Sequence, residues 1–313
     1  MSQVHAVLFD APRQIRLAEL SLSAMGAADV RVRTHFSGIS TGTERLFYTG
    51  EMPPFPGMGY PLVPGYESVG EIIEAGPEAG LSLGQWVFVP GANCFGPVRG
   101  LFGGSASELV TAAQRVLPIS AALSQRGVLL ALAATAHHAV VQPDGVLPDL
   151  IVGHGVMGRL AARLVVALGG HPLVWETDQA RQDTPSDYLV RSPASSKGQL
   201  FDRILDASGS GEELDQWIHH LRPAGEIILA GFYSQALSFQ FAPAFLREAR
   251  LRVAAQWQPI DLQSVGRLVE EGRLNLDGLI TNSWQAVDCE QAYEQAFQSK
   301  TSLKVILDWR SLQ

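Results

Sequence analysis

Three glycines at fixed spacing, set between an apolar strand and an apolar helix, constrain this fold more than any other feature of the sequence. Residues 153–158 read Gly-His-Gly-Val-Met-Gly, preceded by Leu-Ile-Val and followed by the helical pattern RLAARLVVAL. Further strand candidates, PLVWE, RILDASG, EIILAGF and LRVAAQW, alternate with helical or polar stretches. This βαβα order predicts a parallel sheet with helices on both of its faces.

The glycine spacing is also typical of a dinucleotide site. Gly153 permits the tight turn, Gly155 lets the backbone approach a pyrophosphate, and Gly158 lets helix and strand pack closely. The helix that opens at Val156 and Met157 offers N–H donors and a partial positive charge to the phosphates. Because the pattern has its required strand and helix context, we expect a nucleotide to bind here.

The polar residues at the strand ends indicate which nucleotide binds. Glu176 ends the next strand, roughly 20 residues after the first glycine, where a carboxylate accepts hydrogen bonds from the adenosine ribose hydroxyls. It would repel a 2′-phosphate, so NAD is favoured over NADP, although Arg181 offers a cation nearby. Ala207, Ser208 and Gly231 follow later strands and are expected to line the nicotinamide pocket.

The remaining chain indicates further organisation around this nucleotide region. With 313 residues, 46% of them hydrophobic, the chain exceeds what one core usually serves, so two domains are expected. Residues 5–36 form short apolar runs broken by polar turns, which predicts β-structure, and residues 121–142 have a helical pattern. After Gln258 come two amphipathic helices, DLQSVGRLVEEGRL and CEQAYEQAFQS, and a closing strand, SLKVILDW.

Residues 63–76, VPGYESVGEIIEAG, resemble the signature of the zinc-type medium-chain alcohol dehydrogenases. The order of domains, over nearly all of the chain, is similar to the order in that family, and the stretch GGSASELV is similar to a family segment. The resemblance implies an α/β protein with a β-rich GroES-like catalytic domain (1–132) and a doubly wound parallel-sheet Rossmann domain (133–257). A C-terminal segment (258–313) would return to the catalytic domain.

The resemblance also implies a role for one helix residue. Thr135 is similar to the family threonine that packs beside the nicotinamide. The adjacent His137 and His138 are interpreted as ordinary helix positions rather than as catalytic groups.

The positions that bind catalytic zinc in the family hold other residues here. The family triplet Gly-His-Glu reads Gly-Tyr-Glu, with Tyr66 in place of the histidine, and a phenol is a poor zinc ligand at neutral pH. Ser40 or Thr41, depending on where one extra residue falls, takes the place of a ligand cysteine, and Ala131 takes that of the other. Two cysteines in the chain are too few for the family's structural zinc lobe. We therefore expect no metal.

Without zinc, oxidation of an alcohol still needs a route for the hydroxyl proton. If the fold holds, Tyr66, Ser40, Thr41 and Glu44 converge on the former metal position. Tyr66 would then hydrogen-bond the substrate oxygen, and Glu44 would act as the base or orient it. The alternative is that Tyr66 only fills the space that zinc leaves. Glu67 is interpreted as structural, paired with an arginine or with backbone.

Two segments, FSGISTGTERLFYTGEMPPFPGMGYPLVPGYESVG and VFVPGANCFGPVRGLFGG, resemble one branch of the superfamily, the bacteriochlorophyllide hydroxyethyl dehydrogenases of bacteriochlorophyll biosynthesis. The resemblance implies a tetrapyrrole substrate whose hydroxyethyl group is oxidised to acetyl with NAD. The irregular segment 50–65 is rich in Met, Pro, Phe and Tyr, which suits a flat apolar macrocycle, or these side chains only pack the loop. The substrate's propionate would want a cation, for which Arg45, Arg99 and Lys197 are candidates.

Composition limits the partners and the location. A net charge of −8 does not favour nucleic acid or an anionic membrane surface, and no apolar run reaches the roughly 18 residues of a spanning helix. The N-terminus, with an early His5 and Asp10, is unlike a secretory signal, so a cytoplasmic location is expected. Cys94 and Cys289 are then expected as free thiols, Cys94 as a packed small side chain. Family members commonly pair through the last parallel strand, here 251–257, so we expect a homodimer.

Two other functions stay open on the sequence. One is a zinc-free quinone reductase-like enzyme that uses NADPH, against which Glu176 argues. The other is a non-catalytic nucleotide-binding relative, because intact cofactor glycines do not prove turnover. A turnover assay with bacteriochlorophyllide pigments separates all three.

Overall fold

The computed structural model describes residues 3–54, 56–183, 186–233 and 235–313. The chain divides into two compact units. The first consists of Met1–Ala131 and Asp277–Gln313, and the second is Leu132–Leu276.

The N-terminal part of the first unit is built from short strands and one helix. The strands are β1 (Gln3–Ala11), β2 (Gln14–Ser21), β3 (Asp29–Gly38), β4 (Leu62–Val63), β5 (Ser68–Ala75), β6 (Trp86–Val89), β7 (Arg99–Gly100), β8 (Glu108–Ala112) and β9 (Leu117–Pro118), and the helix is α1 (Thr43–Thr49). β3 shows the alternation of a strand with one buried face, since Val30, Val32, Thr34 and Phe36 are buried and the residues between them are less so.

The second unit is built around a parallel sheet. Its helices are α2 (Leu130–Val140), α3 (Val156–Ala167), α4 (Gln179–Gln182), α5 (Leu214–His219), α6 (Phe241–Arg247) and α7 (Pro259–Glu270). Its strands are β10 (Leu150–Val152), β11 (Leu173–Trp175), β12 (Leu189–Arg191), β13 (Phe201–Asp206), β14 (Leu221–Leu229) and β15 (Arg250–Val253). All five neighbouring pairs are parallel, in the order β12-β11-β10-β13-β14-β15. The order reverses between β10 and β13, which is where a doubly wound sheet binds its ligand.

The chain then returns to the first unit as β16 (Ile280–Gln285), α8 (Cys289–Gln298) and β17 (Lys304–Asp308). These strands extend a seven-stranded sheet ordered β16-β17-β3-β5-β6-β9, in which β8 also pairs with β3. A second sheet has the order β2-β1-β4-β7. Six 3₁₀ segments complete the described elements: Ala113–Arg115, Ala121–Leu129, Pro193–Ser196, Gly211–Glu213, Ala286–Asp288 and Arg310–Leu312.

The returning segment begins later than the predicted residue 258. α7 stays with the second unit, and its buried Asp261 lies 2.8 Å from His137 Nδ1 and 3.0 Å from His138 Nδ1, both on α2. Arg273 also donates to the carbonyl of Ala167, at the end of α3. Because these contacts hold residues 258–276 on the second unit, the prediction of the boundary was wrong by about one helix. The two histidines pair with Asp261 inside the second unit, and the interpretation that they are not catalytic stays a prediction.

The predicted last strand, 251–257, was also too long. β15 ends at Val253 because the chain must leave the sheet to begin α7 at Pro259, and Gln258 is the N-cap of that helix.

In the irregular segment 50–65, of which Phe55 lies outside the described residues, Leu62 and Val63 do form a short central strand between two prolines. Cys94 and Cys289 are buried free thiols. None of the described helices is long and apolar enough to cross a membrane.

Candidate active site

The glycine turn after β10 depends on the absence of side chains. Gly153 has φ +94°, a conformation that favours glycine. A Cβ on Gly158 would lie 1.9 Å from the carbonyl oxygen of Gly153, so α3 reaches this close to the turn only because Gly158 has none. A Cβ on Gly155 would meet nothing within 4 Å. The turn is therefore open on the Gly155 side, where a ligand's phosphates can approach the backbone.

The start of α3 offers unpaired N–H groups to that opening. Gly155 is the N-cap and supplies no side chain to the first turn. The first internal bond runs from the Arg159 N–H to the Gly155 carbonyl, so the N–H groups of Val156, Met157 and Gly158 have no partner within the helix. Unpaired donors at the positive end of a 12-residue helix fit a pyrophosphate. These residues would hold a dinucleotide.

Glu176 is fixed beside this turn. Its Oε2 accepts from the His154 N–H at 3.0 Å, and its Oε1 accepts from the Thr177 and Asp178 N–H groups at 2.8 and 2.9 Å. A carboxylate offers about four acceptor positions, so one on Oε2 stays open for a ribose hydroxyl. A phosphate at this point would meet a held negative charge.

His154 was missed by the sequence analysis, which treated it as a spacer between glycines. Its imidazole is buried, with Nδ1 2.8 Å from the Arg181 carbonyl oxygen and Nε2 3.0 Å from the Tyr188 hydroxyl. Burial lowers the pKa of His154 to about 4, so the ring is neutral at physiological pH. It ties the glycine turn to the segments that follow β11. No sequence signal distinguished it from an exposed residue.

The later strand ends lie beside the same turn. A Cβ on Gly153 would come within 3.1 Å of the Ser208 backbone, and one on Gly231 would come within 2.7 Å of Gly209 Cα. Asp206 accepts from the Ser208 side chain at 2.6 Å and from the Tyr233 hydroxyl, and burial raises the pKa of Asp206. Ser208 and Gly231 therefore lie at the carboxyl edge, with Ala207 between Asp206 and Ser208, and their place in a nicotinamide pocket stays a prediction. Thr135 is half-buried on α2, and its contact with a nicotinamide stays a prediction.

In the first unit, three hydroxyl groups meet at Tyr66. Its Oη lies 2.8 Å from Ser40 Oγ and also hydrogen-bonds the Thr43 side chain. The Thr43 N–H donates to Ser40 Oγ at 3.3 Å. Burial is the main reason that the pKa of Tyr66 is raised, so the phenol keeps its proton at neutral pH. Tyr66 stands beside Phe102, with ring centres 5.6 Å apart and planes nearly perpendicular.

Thr43 takes the place that the sequence analysis gave to Thr41. Thr41 is exposed on the turn before α1, whereas Thr43 is half-buried in the first turn of the helix. No hydrogen bond from the Thr41 side chain to this cluster is present within the described residues. The sequence did not decide whether Ser40 or Thr41 takes the position of the family cysteine. Because this alignment was uncertain, Thr43 was not considered.

Glu44 lies behind the hydroxyl cluster and is fully buried. Its Oε1 accepts from the Ser40 N–H at 3.1 Å, and its Oε2 lies 2.5 Å from the Tyr293 hydroxyl of α8. Burial raises the pKa of Glu44 to about 8, although the Tyr293 hydroxyl opposes part of this. The carboxyl group is therefore mostly protonated at neutral pH. Tyr293 had no sequence signal beyond its place in an amphipathic helix.

Glu67 pairs with a lysine rather than with the arginine or backbone that was expected. The Lys304 Nζ of β17 lies 2.7 Å from Glu67 Oε2 and donates to the Ile39 carbonyl at 3.1 Å. Both side chains are almost completely buried. Within the described parts of the chain, no three His, Cys, Asp or Glu side chains come close enough together to hold a metal ion.

Comparisons with known proteins identify relatives along nearly the whole chain. Residues 26–121 match the family described as the alcohol dehydrogenase GroES-like domain. The chain is 51% identical over 312 residues to the 2-desacetyl-2-hydroxyethyl bacteriochlorophyllide A dehydrogenase of Cereibacter sphaeroides, with 98% of each chain covered. It is 50% identical over 310 residues to the protein of that name from Rhodobacter capsulatus, covering 98% of this chain and 99% of the relative.

Solved structures share the fold at lower identity. L-idonate 5-dehydrogenase from Escherichia coli superposes with a TM-score of 0.86 at 17% identity, over 98% of this chain and 99% of that one. Identity at about half of all positions, over nearly the full lengths of two relatives, is much stronger evidence of family membership than this shared fold. The chain therefore belongs to the medium-chain dehydrogenase/reductase superfamily and, within it, to the family of the 2-desacetyl-2-hydroxyethyl bacteriochlorophyllide A dehydrogenases.

Proposed function

We propose that this protein oxidises the hydroxyethyl group of a bacteriochlorophyllide to acetyl, a step of bacteriochlorophyll a biosynthesis, with NAD as hydride acceptor and without zinc. The observation that carries the proposal is identity near 50% to two proteins named for this activity, over 98% of the chain. The glycine turn, the unpaired N–H groups of α3 and Glu176 support a nicotinamide dinucleotide. NAD, when bound, supplies the hydride acceptor.

In this proposal Tyr66 takes over the task that zinc has elsewhere. Oxidation removes a hydride from the carbinol carbon and a proton from its hydroxyl group. The C=O double bond then forms between that carbon and that oxygen. Tyr66 Oη accepts a hydrogen bond from the substrate hydroxyl and takes its proton while passing its own to Ser40 or Thr43. Thr43 is half-buried and hydrogen-bonds Tyr66, so the proposed route to solvent passes through it. The phenol therefore never needs to carry a full charge, which its raised pKa would oppose.

The structure supports a role for Glu44 other than that of a catalytic base. Its carboxyl oxygen contacts the backbone N–H of Ser40 rather than the Ser40 hydroxyl. Since the Glu44 carboxyl group is mostly protonated at neutral pH, we propose that it stabilises the turn at Ser40 and takes no part in the proton transfer.

The choice of NAD follows from Glu176, whose fixed carboxylate disfavours a 2′-phosphate. We infer the absence of zinc from the positions that the resemblance assigns to its ligands, which hold Tyr66, Ser40 or Thr41, and Ala131. A homodimer and a cytoplasmic location complete the proposal, the dimer through the exposed edge of β15.

The test is turnover by purified protein. Hydroxyethyl bacteriochlorophyllide is incubated with NAD or NADP, and the shift of the long-wavelength absorption band reports the acetyl product. We expect turnover with NAD, weaker turnover with NADP, no stoichiometric zinc by elemental analysis and no loss of rate after chelation. A protein that instead reduces quinones with NADPH and leaves the pigment unchanged contradicts the proposal, and binding of NAD without any turnover indicates the non-catalytic alternative.

A further inference from the structure

Arg99 is an exposed cation that carries no ion pair in the described part of the chain. The other arginines of the first unit include several with acidic partners: Arg16 with Asp10, Arg31 with Glu108, Arg126 with Asp277, and Arg310 with Asp308. None of the ion pairs among described residues includes Arg99, although its strand, β7, is anchored by pairing with Leu62–Val63. An unpaired guanidinium on an anchored strand is available to a carboxylate ligand.

The guanidinium of Arg99 lies close to the backbone of a neighbouring loop. A Cβ on Gly59 would lie 2.8 Å from Arg99 Nη1 and 2.9 Å from its Cζ, so the guanidinium lies directly against the Gly59 backbone. The preceding Met58 packs on the apolar core that contains Phe47 and Leu101. The loop that touches Arg99 is thereby attached to the body of the unit.

Phe102 lies close to Arg99 in the sequence and packs beside Tyr66 of the hydroxyl cluster. Phe102 follows β7 by two residues and is 38% exposed, and its ring stands nearly perpendicular to that of Tyr66 with the ring centres 5.6 Å apart. One short segment therefore presents a cation, then an exposed aromatic ring, next to the hydroxyl that we assign to catalysis. This sequence of groups fits a flat apolar molecule with an alcohol at one end and a carboxylate at another.

We propose that Arg99 binds the free carboxylate of the pigment, with the exposed ring of Phe102 lying against the macrocycle. This inference rests on the proposed function and names the residue that recognises the substrate's acidic side chain. It ranks Arg99 above Arg45, which lies on α1 and not in the segment that carries Phe102, and above Lys197, which lies in the second unit.

The experiment compares two forms of one substrate, the hydroxyethyl bacteriochlorophyllide as the free acid and as its methyl ester. Wild-type protein and the variants Arg99→Leu, Arg99→Lys and Arg45→Leu are assayed with both, and Arg115→Leu serves as an exposed-arginine control. We expect wild type to favour the acid in KM by about 10- to 100-fold, the usual effect of one charge-assisted hydrogen-bonded pair. Arg99→Leu should lose that preference with kcat nearly unchanged and with the ester's KM unaltered, and Arg99→Lys should keep part of it.

Four results overturn the inference. Arg99→Leu that retains the wild-type preference for the acid removes the role of Arg99. Loss of the preference in Arg45→Leu instead transfers the role to α1. Wild-type protein that oxidises neither form contradicts the proposed function itself, and the inference then fails with it. Loss of rate on both forms equally in Arg99→Leu, with a lowered melting temperature, shows a structural role rather than recognition.

Discussion

Glu44 holds its carboxyl group in the interior of the first unit, where a negative charge is costly. The group has a pKa of about 8 in the folded protein against an ordinary 4.5. The folded state therefore binds more protons than the unfolded state between these pH values. Glu44 favours folding most below pH 4.5, and this contribution decreases as pH rises through 8.

From this we predict that Glu44→Gln stabilises the protein at alkaline pH. Glutamine is neutral at every pH and keeps an acceptor for the Ser40 N–H and a partner for Tyr293. The free energy of unfolding of the variant should exceed that of wild type by up to about 3–5 kcal/mol at pH 9, and by little at pH 5. Urea unfolding at both pH values measures this, with exposed Glu51→Gln as the control. A difference between variant and wild type that is the same at both pH values contradicts the assignment of the pKa.

Tyr66 is the second residue whose role can be isolated. Tyr66→Phe keeps the ring against Phe102 and removes only the hydroxyl that contacts Ser40. We expect kcat to fall by about 10²–10⁴-fold, the usual loss for one member of a proton relay, with the affinity for NAD intact. Steady-state kinetics measure this. Tyr60→Phe, which removes a hydroxyl bonded to the Phe47 carbonyl, is the matched control. Full turnover by Tyr66→Phe means that the ring only fills the space left by zinc.

Glu176 sets the prediction for cofactor choice. Glu176→Ala removes the proposed acceptor for the ribose and frees the His154, Thr177 and Asp178 N–H groups that Glu176 now occupies. We expect the affinity for NAD to weaken by about 1–3 kcal/mol, while that for NADP changes less because a repulsive charge is also lost. Calorimetric titration with both dinucleotides provides the measurement. Equal binding of NAD and NADP by wild type is incompatible with this role.

At the scale of elements, the Glu67–Lys304 pair links β17 to the loop that enters β5. Burial raises the pKa of Glu67, and Lys304 opposes that change. Lys304→Met leaves an unpaired buried carboxylate and should destabilise the protein by about 3–5 kcal/mol, whereas adding Glu67→Gln should recover most of the loss. Chemical unfolding of the single and double variants tests this, with exposed Lys300→Met as the reference. If the double variant is no more stable than Lys304→Met, the loss comes from packing and not from charge.

Elements with a strong local pattern could be predicted from the sequence, and weak or very short ones could not. β10, the glycine turn and α3 were predicted because apolar residues, turn residues and helix periodicity agree over residues 150–167. β12 has only three residues, none of them buried, so it carries no pattern to detect. α6 has seven residues with a proline among them, and its exposed phenylalanines hide the expected polar face.

The residues of the candidate site also differ in how well the sequence predicts them. Residues that act through their backbone, such as the glycines, are visible in the sequence because only glycine serves there. Tyr293 and Lys304 reach Glu44 and Glu67 from a segment more than two hundred residues away. Such a contact exists only once the sheet has formed, and no local spacing predicts it.

At the scale of the whole molecule, the second unit has an open sheet edge and several exposed apolar side chains. β15 is the last strand of its sheet, and its Val253 is 73% exposed. Phe241, Phe245 and Leu246 of the neighbouring α6 are also exposed. A strand edge and an apolar patch of this kind favour aggregation unless a partner covers them.

We therefore predict a homodimer paired through β15. Light scattering should give about twice the 33.7 kDa of one chain at micromolar concentration. Val253→Lys should shift the mass toward the monomer, because a buried lysine at the pairing edge is costly. Leu83→Lys, at an exposed apolar position of the first unit, should leave the mass unchanged. A wild-type mass near that of one chain contradicts the prediction.

The return of residues 277–313 to the first unit also sets an order of events during protein synthesis. The second unit is one continuous stretch, so it can fold as soon as residue 276 has left the ribosome. The first unit must wait, since Gly38 of β3 pairs with Ile306 of β17. Until β17 emerges, this part of the β3 edge is open and Glu67 has no lysine partner. The nascent chain thus carries a finished second unit while the first unit still lacks a strand of its sheet.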